Sequence, residues 1–184
     1  MNDIDIEKIK ETINKLKPGG QLYEIRILQG SGKRKTTISG DFRGTDNLEA
    51  EFSKVDLRRA NVFYTLNVID PECYSREQHE RFLQVDDTTS DADIVAYQWM
   101  LVDLDPKRRT GISSTEEELE EAKRMAKDVK EYLRGLGFMD PITALSGNGI
   151  HLLYCIDLPK TDENENLIKR CLYALDERFS NDKV

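Results

Sequence analysis

The second half of the chain has an element order that few folds can satisfy. An apolar run at 94–102 predicts a strand, and apolar residues at helical spacing over 119–136 predict the helix that follows. Two more strands, at 141–145 and 150–156, flank a glycine-rich turn, and a second helical stripe covers 168–179. Strand, helix, strand, strand and helix is the order of a split βαβ unit, as in RRM-like cores, without its final strand.

The first half is predicted to place a smaller α/β part in front of this core. A helix over 6–16 ends at Pro18, and the residues after it indicate a hairpin, a further strand and a long polar loop that contains some helix. These segments are the strands at 22–28, 36–42 and 61–67, the loop at 71–93 and its helical part at 76–83. We therefore expect an α+β fold and a single domain over 1–184, with an N-terminal part at 1–93 and the core at 94–184.

Composition places the chain among ordinary globular proteins. Its 184 residues and its hydrophobic fraction of 38% suit one compact domain. No apolar stretch is long enough to cross a bilayer, and the acidic residues near the N-terminus do not fit a signal peptide. The sequence therefore predicts a cytoplasmic protein that has no membrane partner.

Charge limits how the chain could hold a nucleic acid. Its formal net charge is −8, whereas non-specific affinity for DNA comes mainly from Lys and Arg that neutralise phosphates. Any such contact is expected to be weak and local, at the basic clusters 33–35, 58–59 and 107–109. The acidic runs are interpreted as solvated helix starts and loops.

The cysteines and histidines argue against disulfides and zinc. Cys73, Cys155 and Cys171 are odd in number and have no C-x-x-C spacing, and the only histidines are His79 and His151. We expect buried free thiols, and we expect His79 to be a solvated helix residue because its neighbours are polar.

A pair of carboxylates, Asp103 and Asp105, follows the apolar strand directly. Residues i and i+2 of a strand point to the same face, about 6.7 Å apart, so both can converge on Mg²⁺ or Mn²⁺, which prefer hard oxygen ligands. Lys107 and Arg108 come next and add positive charge. This pattern predicts a site for a metal-bound polyphosphate, although aspartates at strand ends are also common caps and turn formers.

A second motif, Ser146-Gly147-Asn148-Gly149-Ile150-His151, occupies the turn between the last two strands. Backbone N–H groups of a glycine-rich turn can approach an anion, Ser146 offers a hydroxyl, and His151 can donate to a phosphate oxygen. The alternative is an ordinary Asn-Gly hairpin in which His151 is only a surface or core residue.

Together the two motifs resemble the catalytic core of archaeo-eukaryotic primases and primase-polymerases, in particular the primase modules of phage and plasmid replication proteins. The resemblance rests on the order Asp103-Leu104-Asp105, one helix, then Ser146 to His151, and it covers most of the chain. It implies that Asp103 and Asp105 bind Mg²⁺ or Mn²⁺ and that His151 contacts the nucleotide triphosphate. Ser146, Gly147, Gly149, Lys107 and Arg108 would complete the nucleotide-binding site.

The sequence departs from that family after its last predicted helix. The family has a third acidic residue on a later strand, and no such strand follows 168–179 here. A missing carboxylate would weaken the metal that activates the attacking hydroxyl. The departure leaves catalytic activity open.

Three functions remain at this point. The first is nucleotidyl transfer for primer synthesis in DNA replication, with nucleoside triphosphates, a DNA template and a helicase or other replication domain as partners. The second is a truncated primase-like module that binds nucleotide or protein without full catalysis. The third, a glycosyltransferase that uses D-x-D for a sugar nucleotide, gives no reason for the glycine-histidine turn.

Overall fold

The structure, a computed structural model, describes residues 5–30, 36–58, 60–109 and 112–184. It is a mixed α+β fold with two antiparallel sheets, which confirms the predicted class. The chain divides into two compact units, Met1–Ala96 and Tyr97–Val184, called here the N-terminal and C-terminal units. The basic residues 33–35, the glycine-rich loop around them and Arg59 lie outside the described residues.

The helices and strands alternate along the chain. The helices are α1 (Ile6–Leu16), α2 (Leu48–Phe52), α3 (Glu116–Gly135) and α4 (Asp162–Phe179). The strands are β1 (Leu22–Gln29), β2 (Thr36–Arg43), β3 (Ala60–Tyr64), β4 (Val68–Ile69), β5 (Leu83–Gln84), β6 (Ile94–Leu104), β7 (Ile142–Leu145) and β8 (Ile150–Pro159).

The N-terminal unit is a four-stranded sheet, in the order β3-β1-β2-β5, with helices packed on one face. The predicted hairpin is β1 and β2, which pair without a register break from Leu22 opposite Arg43 to Gln29 opposite Thr36. The apolar side of the sheet packs with α1 and α2 around a core that comprises Ile13, Tyr23, Ile25, Ile27, Phe42, Leu48, Phe52 and Val55. Burial of this set is the main favourable contribution to the stability of the unit.

The prediction of a helix at 76–83 was wrong. The structure has a 3₁₀ helix at Pro71–Ser75 and then turns that lead to the two-residue strand β5. The backbone at 78–80 is bonded to β2, because Asp41 N–H donates to the Gln78 carbonyl and Glu80 N–H donates to the Asp41 carbonyl. Glu80 also has a φ of 53°, which no α-helix tolerates.

The C-terminal unit places α3 and α4 on one face of a sheet. The first residues of β6 pair with β4 within the N-terminal unit, and beyond them β6 lies next to β8, which pairs with β7. Alternate residues of β6 and β8 face the helices, and the core contains Met100, Val102, Leu104, Ala122, Met125, Val129, Leu133, Ile150, Leu152, Tyr154 and Leu175. The side chains between them lie on the face opposite the helices.

Both long helices begin at threonine caps. In α3 the Thr115 side chain accepts from Glu118 N–H and the Glu118 carboxylate accepts from Thr115 N–H, which forms a capping box. Thr161 caps α4 through Asn164 N–H. After α4, residues 180–184 form no strand.

All three cysteines are free thiols, but only Cys73 is buried, and burial raises the pKa of its thiol to about 11. Cys171 is half-buried and Cys155 is exposed, so the expectation of buried thiols was wrong for Cys155. Within the ranges that the structure describes, none of the helices has the length and apolar character needed to cross a membrane.

Candidate nucleotide-binding site

The two carboxylates lie at the C-terminal end of β6. Val102 and Leu104 are buried in the core, so the alternation of the strand turns Asp103 to the face opposite the helices, and Asp105 follows the last strand residue. Their side chains are 54% and 43% exposed, respectively. Both are therefore accessible to a solute.

His151 comes to the same face from β8. Its neighbours Ile150 and Leu152 are buried in the core, and His151 pairs with Ala144 of β7. Its Nε2 lies 3.3 Å from Oδ1 of Asp103. The structure thus brings together the D-x-D residue and the histidine that the sequence predicted for one site, although a whole helix separates them in the chain.

The turn before His151 uses its own hydroxyl to stay closed. The Ser146 Oγ accepts from Gly149 N–H at 2.9 Å and from Asn148 N–H at 3.4 Å, and Ser146 N–H donates to the Gly149 carbonyl. Gly147 has a φ of 92°, in the region that glycine tolerates best. Two of the N–H groups expected to hold an anion are therefore committed within the turn, whereas the hydroxyl proton of Ser146 can still be donated.

Gly149 is needed for a different reason from the one that the motif suggests. A Cβ atom at this position would lie 2.3 Å from the Leu104 carbonyl oxygen and 2.8 Å from Oδ1 of Asp105. Only glycine lets the turn approach the end of β6 this closely. Gly149 thus fixes the position of Asp105 relative to the His151 strand.

The basic residues after Asp105 are already engaged. Arg108 donates to Oδ2 of Asp105 at 2.8 Å, while its Nε is buried and has no hydrogen-bond partner in the described ranges. Lys107 donates from its backbone N–H to the Lys183 carbonyl at 2.7 Å and from its ammonium group to the Asn181 carbonyl. Arg108 therefore lies beside the carboxylates, whereas the charge of Lys107 is held by the C-terminal residues.

Ser114 links this basic segment to the turn, a contact that sequence reasoning missed. Its Oγ donates to the Asn148 carbonyl at 2.6 Å, and its backbone N–H donates to the Asn148 side chain at 3.2 Å. No periodic pattern announces such a contact, because the partners are far apart in the chain. The link holds the residues before α3 against the turn that precedes His151.

Arg108, which donates to Asp105, also lines a basic cavity. The cavity has a volume of about 570 Å³ and is lined by Lys107, Arg108, Arg109, Ile112, Ser113, Thr115 and Glu118. Arg109 is exposed, and among the described residues no carboxylate pairs with it. The cavity therefore offers positive charge next to the carboxylate pair.

The donor set suits a hard cation only in part. Asp103 and Asp105 supply carboxylate oxygens, the ligand type that Mg²⁺ and Mn²⁺ prefer, and such ions keep several waters. In the described part of the chain, no three His, Cys, Asp or Glu residues form a group able to hold a metal. The two aspartates could therefore contribute to a cation site that substrate phosphate and water complete.

Arg26 and His79 are polar residues of the N-terminal unit. Arg26 donates to both carboxylate oxygens of Glu24, at 3.1 and 2.9 Å, and to the Thr89 carbonyl at 2.7 Å. Its guanidinium is thus committed to a structural network. His79 is exposed on a turn, not on a helix, and bonds to the Arg76 carbonyl.

A buried polar network around Glu24 was not foreseen. Burial raises the pKa of Glu24, but hydrogen bonds from Arg26, Ser39 and Thr89 together outweigh it and lower the pKa below its ordinary value. On the next strand Asp41 is fully buried, and both of its carboxylate oxygens lack a partner among the described residues. The only sequence signal was polar residues at alternate positions of two strands.

No protein-family model, no curated protein and no solved structure matches the chain. What the chain does must therefore be inferred from its own residues and their arrangement.

Proposed function

We propose that the C-terminal unit is a nucleotide-binding core of the primase-polymerase type, which uses a nucleoside triphosphate and Mg²⁺ or Mn²⁺ in primer synthesis. One observation carries the proposal: the 3.3 Å contact between His151 Nε2 and Asp103 Oδ1 unites two motifs that the chain keeps apart. An ordinary hairpin histidine or a capping aspartate has no need of such a partner.

The element arrangement supports the same proposal. The order β6-β8-β7, with α3 after β6 and α4 after β8, agrees with a split βαβ core that lacks its last strand. In that arrangement Asp103 and His151 come from adjacent strands of one sheet face. A primase-polymerase fold would place its reacting groups there.

Each residue of the site would have a separate role in nucleotidyl transfer. A divalent ion held by Asp103 and Asp105 would polarise the phosphate and favour a deprotonated 3′-hydroxyl. That hydroxyl would attack the α-phosphorus in line and lose its proton to water; the new P–O bond would form as the bond to pyrophosphate breaks, and pyrophosphate would leave. His151 would donate to a phosphate oxygen, and Arg108 would turn from Asp105 towards the negative charge of the leaving group.

The test is metal-dependent nucleotide binding by carboxylate variants. We expect Asp103→Asn and Asp105→Asn each to weaken binding of a fluorescent deoxynucleoside triphosphate, measured with Mn²⁺, by about tenfold or more. Asp128→Asn is the matched control, because Asp128 is exposed on α3 away from the turn. Equal affinity in all three variants and the original chain would overturn the metal site.

A binding module without catalysis is the second candidate, and two observations favour it. Asp103 and Asp105 have no third acidic partner among the described residues, and the Lys107 ammonium is held by the Asn181 carbonyl. Such a module would bind nucleotide or a replication protein but would not extend a primer. Primer synthesis on a single-stranded DNA template distinguishes the two: labelled product that Asp103→Asn abolishes supports the enzyme, and its absence despite nucleotide binding supports the module.

A further inference from the structure

The outer edge of β3 is a surface that the proposed function does not use. β3 is the first strand in the order β3-β1-β2-β5, so β1 lies on one side of it, and no strand of the described ranges lies on the other. Val62, Phe63 and Tyr64 are 46%, 51% and 40% exposed. Edge strands usually carry Lys, Pro or a bulge that prevents pairing with another chain, and β3, with the sequence ANVFY, has neither residue.

The hydrogen-bond pattern of β3 shows which backbone groups face outward. Thr65 N–H donates to the Glu24 carbonyl, next to the pair formed by Ile25 and Tyr64. Bonded and non-bonded pairs alternate in an antiparallel ladder, so Phe63 bonds to β1, whereas the N–H and C=O of Val62 and Tyr64 point away from it. These outward groups are the ones that an added strand would use.

The side chains at this edge border an apolar cavity. Val62 and Tyr64 lie on the same sheet face as Ile25. With Phe52 and residues of α1 that include Ile9 and Ile13, they line a cavity of about 440 Å³. A strand added outside β3 would place apolar side chains beside Val62 and cover this cavity.

We propose that the edge pairs with the same edge of a second copy of the chain, in a two-fold antiparallel β3–β3 pair centred on Val62. The backbone of Val62 would exchange both hydrogen bonds with Val62 of the other copy. Tyr64 N–H would donate to the Ala60 carbonyl of the other copy, since Ala60 N–H already donates to Leu57. This inference does not depend on the nucleotide site.

The edge of β3 is suited to a second copy of the chain, because it is uncharged and matches itself. A net charge of −8 opposes self-association through most of the surface. The strand 60–64 is uncharged, so two copies can approach along it without like charges facing each other. Its apolar side chains also match themselves under a two-fold axis.

A pair of five-residue strands is smaller than the roughly 1,200 Å² of a stable interface, so we expect a weak dimer. Light scattering coupled to size-exclusion chromatography should give an apparent mass that rises towards twice the monomer mass between about 10 μM and about 1 mM. A monomer mass at every concentration would overturn the proposal.

Substitutions at Val62 locate the contact. Val62→Lys should remain monomeric, and so should Val62→Glu, because like charges would face each other across the two-fold axis. An equimolar mixture of the two variants should associate again, since opposite charges then meet at that position. Tyr173→Lys, at an exposed residue of α4, should behave like the original chain.

Val62→Pro provides a backbone test. Its missing N–H points away from β1, so the native sheet should remain while the outward hydrogen bond is lost. A circular dichroism spectrum like that of the original chain together with a monomer mass supports the proposal. Dimers that persist in the folded Val62→Pro or Val62→Lys variants, or a mixture of Lys and Glu variants that stays monomeric, would overturn it.

Discussion

Asp41 places a carboxyl group where bulk solvent does not reach it and where no hydrogen-bond donor of the described residues meets it. Burial raises its pKa to about 6; Arg76 lowers it, and the carboxylates of Glu24 and Asp93 raise it. The folded chain therefore holds this proton in a pH range where the unfolded chain has released it, since an unfolded aspartate has a pKa near 3.9.

Stability should consequently depend on pH through Asp41. The free energy of unfolding falls as the pH rises from about 4 to about 6, by at most about 3 kcal/mol, and this contribution is constant above that range. Asp41→Asn removes the ionisation and should raise the melting temperature at pH 7.5 but not near pH 4. Thermal unfolding of both proteins over this pH range measures the difference, and a gain that is equal at both pH values would contradict the explanation.

One added atom at Gly149 should lower both the stability of the fold and the affinity of the site for nucleotide. Gly149→Ala adds a Cβ 2.3 Å from the Leu104 carbonyl oxygen, and such overpacking costs roughly 1–3 kcal/mol of unfolding free energy. Because the same Cβ would displace Asp105, nucleotide affinity should fall as well. Gly135→Ala is the control, since apart from its chain neighbours and its own helix backbone no atom of the described residues lies within 4 Å of the added Cβ. Equal melting temperatures for the two variants would show that the turn yields easily.

At the scale of elements, local patterns predicted the long helices and the hairpins well. α1, α3 and α4 carry apolar stripes over several turns, which a sequence displays directly. α2 has only five residues, too few to establish a period, and it was not predicted. The prediction for 76–83 was wrong for another reason. The backbone of this segment bonds to β2, which is distant in the sequence and cannot be recognised from local residues.

Two neighbouring residues at the start of α3 have different roles. Thr115 forms the capping box with Glu118, whereas Ser114 bonds to Asn148. Thr115→Ala should therefore lower the unfolding free energy by about 1 kcal/mol through the helix, with nucleotide affinity little changed. Ser114→Ala should instead loosen the turn and weaken nucleotide binding. Denaturant titration and nucleotide titration of both variants check this, and the reverse assignment of effects would contradict it.

At the scale of the whole molecule, the sequence predicted which residues belong to the candidate site. It predicted only some of the contacts between them. The motifs indicated Asp103, Asp105, His151 and the turn, because their chemistry is written in short stretches of sequence. The hydrogen bond from a turn N–H to Ser146, and the one from the Lys107 ammonium to the Asn181 carbonyl, form only when the chain folds. Contacts between residues far apart in the chain produce no periodic pattern in the sequence, so they could not be predicted from it.

Net charge also sets how a template could be held. The chain carries −8 overall, so single-stranded DNA should bind through the basic cavity that Arg109 helps to line. We expect Arg109→Ala to weaken binding similarly for all sequences and to reduce the slope of log affinity against log salt by about 0.7. Fluorescence anisotropy with a labelled oligonucleotide at several salt concentrations measures both effects.

Arg58→Ala supplies the comparison for this prediction. Arg58 is exposed like Arg109, but it is paired with Asp56 at 2.7 Å and lies in the N-terminal unit. Its loss should leave the salt slope unchanged, because its charge is already compensated. If both variants lowered the slope equally, DNA would be held by diffuse surface charge, and the basic cavity would have no particular role. A change confined to Arg109→Ala would place a phosphate contact in the basic cavity, which Arg108 also lines.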